Sequence, residues 1–95
     1  MDFASVSPFI NQLGKRMKRG NVCGHRVKLA RIDKKLKQVE LSAMLSVDYD
    51  FELTQHAISN IETGGRIVSD IELIALAKAL GVKASWLLYG DKGEK

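Results

Sequence analysis

Residues 38–64, QVELSAMLSVDYDFELTQHAISNIETG, decide how the rest of the chain reads. From Gln38 to about Ser46, Leu41 and Leu45 stand one turn apart with Met44 beside them, the spacing of a short amphipathic helix. A second helix is expected from Thr54, a residue type that caps helices by accepting a backbone N–H from the first turn. Its apolar residues are Ala57, Ile58 and Ile61, one inward stripe, and Gly64 ends it because glycine enters the left-handed region without a Cβ penalty. The outward face carries Gln55, His56, Ser59 and Asn60. These are short hydrogen-bonding side chains, in place of the lysines and glutamates of an ordinary solvated face. Side-chain amides of this kind pair bidentately with adenine in a major groove. Two short helices with such a face on the second read as a helix-turn-helix.

The whole chain sets the bounds. Ninety-five residues, 45% of them apolar, make one small domain with a modest core. Proline is nearly absent and no repeat or low-complexity tract occurs, which points to a compact all-α class. The apolar runs are too short to cross a bilayer, and Asp2 and Pro8 interrupt any signal-peptide core. A single cysteine, Cys23, forms no internal disulfide and fits a reducing cytoplasm, so the expected location is cytoplasmic. The net charge of +4 hides an asymmetry: residues 1–37 hold ten lysines and arginines against Asp2 and Asp33, hence +8, and the remainder is −4. Such a basic first third suits a polyanion partner, nucleic acid or membrane surface, and equally a solubilising charge run.

Taken in order, Ser7-Pro8 resembles a helix start, with Phe9, Ile10, Leu13 and Met17 as a stripe and Gly20-Asn21 as the stop. Residues 1–23 are therefore a basic N-terminal arm or an accessory helix. A helix is expected from about Gly24 to Leu36, with Val27, Ala30 and Arg31 on one side. Ser69-Asp70-Ile71-Glu72 is a capping box, opening a helix whose apolar residues (Leu73, Leu76, Ala77 and Leu80, with Ile71, Ile74 and Ala75 adjoining) predict burial on most sides. Gly81 stops it. Val82–Leu88 forms a last short helix, and residues 91–95 a polar tail. Five helices over residues 24–90, with a possible sixth in front, make the domain, and no strand pairing is legible.

These residues resemble the lambda-repressor-like helix-turn-helix domains, the Cro/Xre group of phage and bacterial repressors. The resemblance is carried by Arg26-Val27-Lys28, Gln38-Val39-Glu40-Leu41, Ile58-Ser59-Asn60-Ile61-Glu62-Thr63-Gly64, Ala77-Lys78-Ala79-Leu80-Gly81-Val82 and Trp86-Leu87-Leu88-Tyr89-Gly90, in the family's order over residues 24–90. It implies a compact five-helix DNA-binding domain, a transcriptional regulator (a repressor) of double-stranded DNA, and a homodimer. Gln55, His56 and Asn60, with Ser59 nearby, would read bases. Lys37, Gln38, Thr54, Gly64, Gly65 and Arg66 would contact phosphate, Gln38 at a helix N-terminus and the glycines through their amides. Arg26 and Glu62 would form an ion pair joining the first helix to the end of the recognition helix.

The chain departs from the family in one place. The usual tight turn has glycine where Ser46 stands, and about six extra residues follow, including Asp48, Asp50 and Glu52. Either this acidic loop points away from DNA, or the second helix is longer and the loop displaced. Asp48-x-Asp50-x-Glu52 lacks the later glycine and glutamate of a calcium loop, and Cys23 and His25 lack further zinc ligands, so no metal and no cofactor is expected. His56 reads as an ordinary exposed histidine, although protonation near neutral pH would tune binding. No nucleophile–base pair is legible, so no enzyme is expected. A second class of function stays open: a protein-interaction module of the same fold, such as the antitoxin of a toxin–antitoxin pair.

Overall fold

A computed structural model describes residues 20–90, which fold into five α-helices: α1 (Gly24–Asp33), α2 (Gln38–Tyr49), α3 (Gln55–Thr63), α4 (Asp70–Leu80) and α5 (Ala84–Tyr89). The expected helix before Gly20, the Lys15–Arg19 arm and the polar tail lie outside the described residues. Among those described, no helix is long and apolar enough to cross a membrane.

The local signals act as their chemistry dictates. Thr54 takes the N-cap of α3, its hydroxyl accepting from the Ala57 amide at 3.0 Å. At the other end Gly64 turns left-handed with φ 81°, a conformation that costs an L side chain and not glycine. Ser69 and Glu72 form the reciprocal capping box of α4: the Ser69 hydroxyl accepts from the Glu72 amide, and the Glu72 carboxylate from the Ser69 amide. Asn21 performs a similar service for α1, accepting from the Gly24 amide at 2.7 Å. Its side-chain nitrogen donates onward to the Ile61 and Arg66 carbonyls, tying the start of α1 to the end of α3. The helices meet so closely there that a Cβ on Gly24 would collide with the Ile61 carbonyl.

The core is one cluster drawn from every helix. Val27, Leu41, Leu45, Ile58, Ile61, Leu76 and Leu87 are fully buried in it. Burying a leucine or isoleucine side chain contributes roughly 1.5–3 kcal/mol relative to leaving it exposed, so these residues hold the helix crossings. Two expectations need correction here. First, α4 is covered over most of its surface but keeps an open edge: Ala75, Leu76, Ala77, Ala79 and Leu80 are buried, whereas Ile71 and Ile74, expected to adjoin the buried face, are 64% and 50% exposed. Leu29 and Ile32 of α1 are likewise exposed, and α1 ends at Asp33, short of Leu36.

Second, α2 does not end near Ser46 but runs to Tyr49 and closes with Asp50 in the left-handed region (φ 49°). The chain then doubles back along its own helix. The Phe51 amide donates to the Leu45 carbonyl, Ser46 donates to Glu52 at 3.4 Å, and Ser42 donates to the Leu53 carbonyl at 2.7 Å. Leu53 is buried and Phe51 packs against the core. Of the two paths open to the acidic insertion, the longer second helix with a displaced loop is the one adopted. With a rise of about 1.5 Å per residue, Tyr49 lies about 16 Å along the axis from Gln38. Asp48 and Asp50 therefore sit at the far end of α2 from its N-terminus.

Candidate nucleic-acid interface

The surface to examine is where the outward face of α3 meets the N-terminus of α2. Ile58 and Ile61 are fully buried, which fixes the rotation of α3 and turns Gln55 and His56 outward, with Ser59 and Asn60 half-buried beside them. The four side chains expected on one face are on one face. The side-chain nitrogen of Asn60 lies 3.3 Å from Nε2 of His56, one turn earlier.

At the start of α2 the helical ladder begins with the Leu41 amide donating to the Lys37 carbonyl. The amides of Gln38, Val39 and Glu40 precede that first bond, the arrangement that makes a helix N-terminus attractive to anions. Lys37 is exposed at the cap, its own amide donating to the Glu40 carboxylate at 2.7 Å.

A chain of hydrogen bonds joins these two places. The Gln55 side chain donates to the Gln38 oxygen at 2.7 Å, and the Gln38 nitrogen donates to Oε1 of Glu62 at 2.9 Å. Arg31 completes the chain, its Nε donating to Oε2 of Glu62 at 2.6 Å and its Nη2 to Oε1 at 3.0 Å. Its third nitrogen is used as well: Nη1 donates to the Leu36 carbonyl at 2.8 Å and holds the turn into α2. The guanidinium is pushed above its ordinary value by the hydrogen bond to Glu62 and by that carboxylate's charge, against the opposing effect of burial. Each amide is thereby oriented by its neighbour, and the outermost, Gln55, is held at the surface by a buried ion pair.

The expected pair of Arg26 with Glu62 is not formed. Arg26 instead reaches the end of α5, where its Nη1 lies 3.4 Å from the Leu87 and Leu88 carbonyls. Those carbonyls have no helical partner at a helix C-terminus, so a cation suits them. The partner of Glu62 is Arg31, and the sequence held a signal for it. Arg31 falls on the Val27–Ala30 side of α1, and a charge on an apolar stripe needs a buried partner.

The loop after α3 also differs from expectation. The Gly64 and Gly65 amides, anticipated as phosphate ligands, donate to the Ile61 and Asn60 carbonyls at 3.0 and 2.7 Å and so close the helix. Arg66, anticipated in the same role, makes two parallel bonds to Glu72, at 2.9 and 3.2 Å. Burial alone would raise the Glu72 carboxyl, but the bonds from Arg66 and the Ser69 amide, with the charge of Arg66, outweigh it and leave the group below its ordinary value. Thr54 is exposed at the cap of α3, its hydroxyl hydrogen still available to a ligand.

A helix-turn-helix family model matches residues 27–87 of the chain, from the middle of α1 to the core residue of α5. Comparison with curated proteins finds no match.

Proposed function

Since the chain belongs to the lambda-repressor-like helix-turn-helix family, whose members are DNA-binding regulators, we propose that it is a sequence-specific repressor acting on double-stranded DNA as a homodimer. In this reading α3 enters the major groove, and Gln55, His56, Ser59 and Asn60 meet base edges. Lys37, the first-turn amides of α2 and the Thr54 hydroxyl bind phosphate on the flank. The observation that carries the reading is the bonded series Arg31–Glu62–Gln38–Gln55. It locks the phosphate-binding end of one helix to the base-reading end of the next, so that a backbone contact sets the register of the readers. The acidic end of α2, about 16 Å from Gln38 along the axis, is consistent with this docking because its carboxylates stand away from the phosphates.

Titration of genomic DNA fragments with the purified protein, in excess competitor DNA, tests the reading. A retained fragment should protect two half-sites with centres about 34 Å apart, one helical turn. Gln55→Ala should relax preference at one position of each half-site, since a bidentate contact is worth roughly 1–3 kcal/mol of discrimination. Uniform displacement of all fragments by competitor would leave only electrostatic binding and defeat the reading. It would favour the protein-interaction alternative.

A further inference from the structure

We infer that Glu72 withholds Arg66 from the DNA backbone, so that the pair limits sequence-independent binding; the inference rests on α3 as the helix that enters the major groove. Arg66 follows Gly65, and Gly65 packs on α3. A Cβ placed on that glycine would lie 3.5 Å from the Asn60 carbonyl oxygen and 3.9 Å from the Asn60 Cβ. The Asn21 side chain fixes the next peptide by donating to the Arg66 carbonyl at 2.8 Å. A helix about 10–12 Å across fills a major groove about 12 Å wide, whose walls are phosphate. The loop leaving the end of α3 therefore runs beside one wall, and Arg66 is the cation of that loop.

Glu72 cancels its charge. Nη1 and Nη2 of Arg66 each donate to the carboxylate, at 3.2 and 2.9 Å. The carboxylate is itself tied down, because Oε1 also accepts from the Ser69 amide at 3.1 Å within the capping box of α4. It stays with α4 and does not travel with the arginine. A guanidinium paired in this way offers phosphate no net charge, and the affinity that counterion release would supply is forgone. The pair is not sealed, since the Arg66 side chain keeps 34% of its exposure and Glu72 16%. Removing the carboxylate's charge thus frees a cation already at the surface. A phosphate contact strengthens every sequence alike. Withholding one lowers occupancy of random DNA and leaves the base-facing side chains of α3 untouched.

Salt titration of a short random-sequence duplex with the full chain tests the inference. Glu72→Gln removes the charge and keeps the capping box, where glutamine also serves; circular dichroism checks its helix content. Asp70→Asn removes the same charge two residues away and leaves the Arg66–Glu72 pair in place. The log–log salt slope of Glu72→Gln should be steeper than that of the wild type by about 0.9, one phosphate contact. Its advantage in affinity should then grow about 3.5-fold between about 200 and 50 mM salt. Asp70→Asn should keep the wild-type slope, and Arg66→Gln/Glu72→Gln, with the wild-type net charge, should return to it. An unchanged slope in Glu72→Gln overturns the inference, as does an equal steepening in Asp70→Asn, which would reflect net charge alone. A double variant that stays steep overturns it too, by assigning the gain to a group other than Arg66. Wild-type protein that binds no duplex even at about 50 mM salt overturns it through its premise, the docking of α3.

Discussion

Replacing Glu62 by glutamine tests the joint on which the whole interface is mounted. Glu62 is 6% exposed and accepts three side-chain hydrogen bonds, two from Arg31 and one from Gln38. Glutamine keeps an oxygen for one donor but turns an NH2 group towards a guanidinium that is itself only 11% exposed. Removing one partner of a buried ion pair costs about 3–5 kcal/mol, chiefly because the other charge stays behind without compensation. Arg31 keeps some water and its bond to Leu36, so the lower end, about 3 kcal/mol, is expected. Against a total stability of about 5–15 kcal/mol this is a large fraction. At about 4–8 °C per kcal/mol for a domain of this size, the melting temperature should fall by roughly 12–24 °C. Urea unfolding of Glu62→Gln, Arg31→Met and the double variant Arg31→Met/Glu62→Leu measures it, and the double variant should recover most of the loss because no charge is stranded. A cost below about 1 kcal/mol would refute the argument. So would an Arg26→Met variant as damaging as Arg31→Met, since the hydrogen bonds of Arg26 go to carbonyls at the end of α5 and not to Glu62.

Three further outcomes follow from particular contacts. The Glu72 carboxyl is depressed in the folded state, so its contribution is present above the unfolded value near pH 4.5 and is lost as pH falls through the lower folded value; acid unfolding followed by circular dichroism should be shallower below about pH 4.5 in Glu72→Gln. Helix propensity alone would make Gly24→Ala stabilising by about 1 kcal/mol, whereas the Ile61 carbonyl at that position reverses the sign and should cost about 1–3 kcal/mol in urea unfolding. Deleting residues 1–19 should flatten the log–log salt dependence of DNA binding by about 0.9 per lost phosphate contact while leaving the preferred sequence unchanged, and an unchanged slope would remove the Lys15–Arg19 arm from the interface.

Most of the helix boundaries could be read from the chain because they rest on neighbours in sequence. Thr54 and Ala57, Ser69 and Glu72, and Gly64 closing on Asn60 and Ile61 all lie within one or two turns. Such signals hold whatever the rest of the molecule does. The rotation of α3 was legible for a related reason: Ile58 and Ile61 on one face leave Gln55, His56 and Asn60 on the other at any crossing angle. The end of α2 was not, because Val47, Asp48 and Tyr49 have weak helix propensity and alternate in polarity. Their helix persists with help from contacts beyond its own sequence, among them the bond from the Tyr49 hydroxyl to the Lys78 carbonyl and the return of Leu53 against Ser42.

Thus the sequence alone determined the helical class, the family and the composition of the outward face of α3. Only the tertiary structure decided which arginine meets Glu62: Arg26 and Arg31 lie five residues apart, about 140° round the same helix, and the place of Arg31 beside Val27 and Ala30 calls for a buried partner without saying which one. The crossing of α1 over α3, set by the contact of Gly24 with Ile61 and the clasp of Asn21, brings Arg31 to the carboxylate and carries Arg26 towards α5. Local hydrogen bonds select among conformations of a few residues, but the pairing of charges far apart in sequence depends on where whole helices come to rest, and packing of the core decides that.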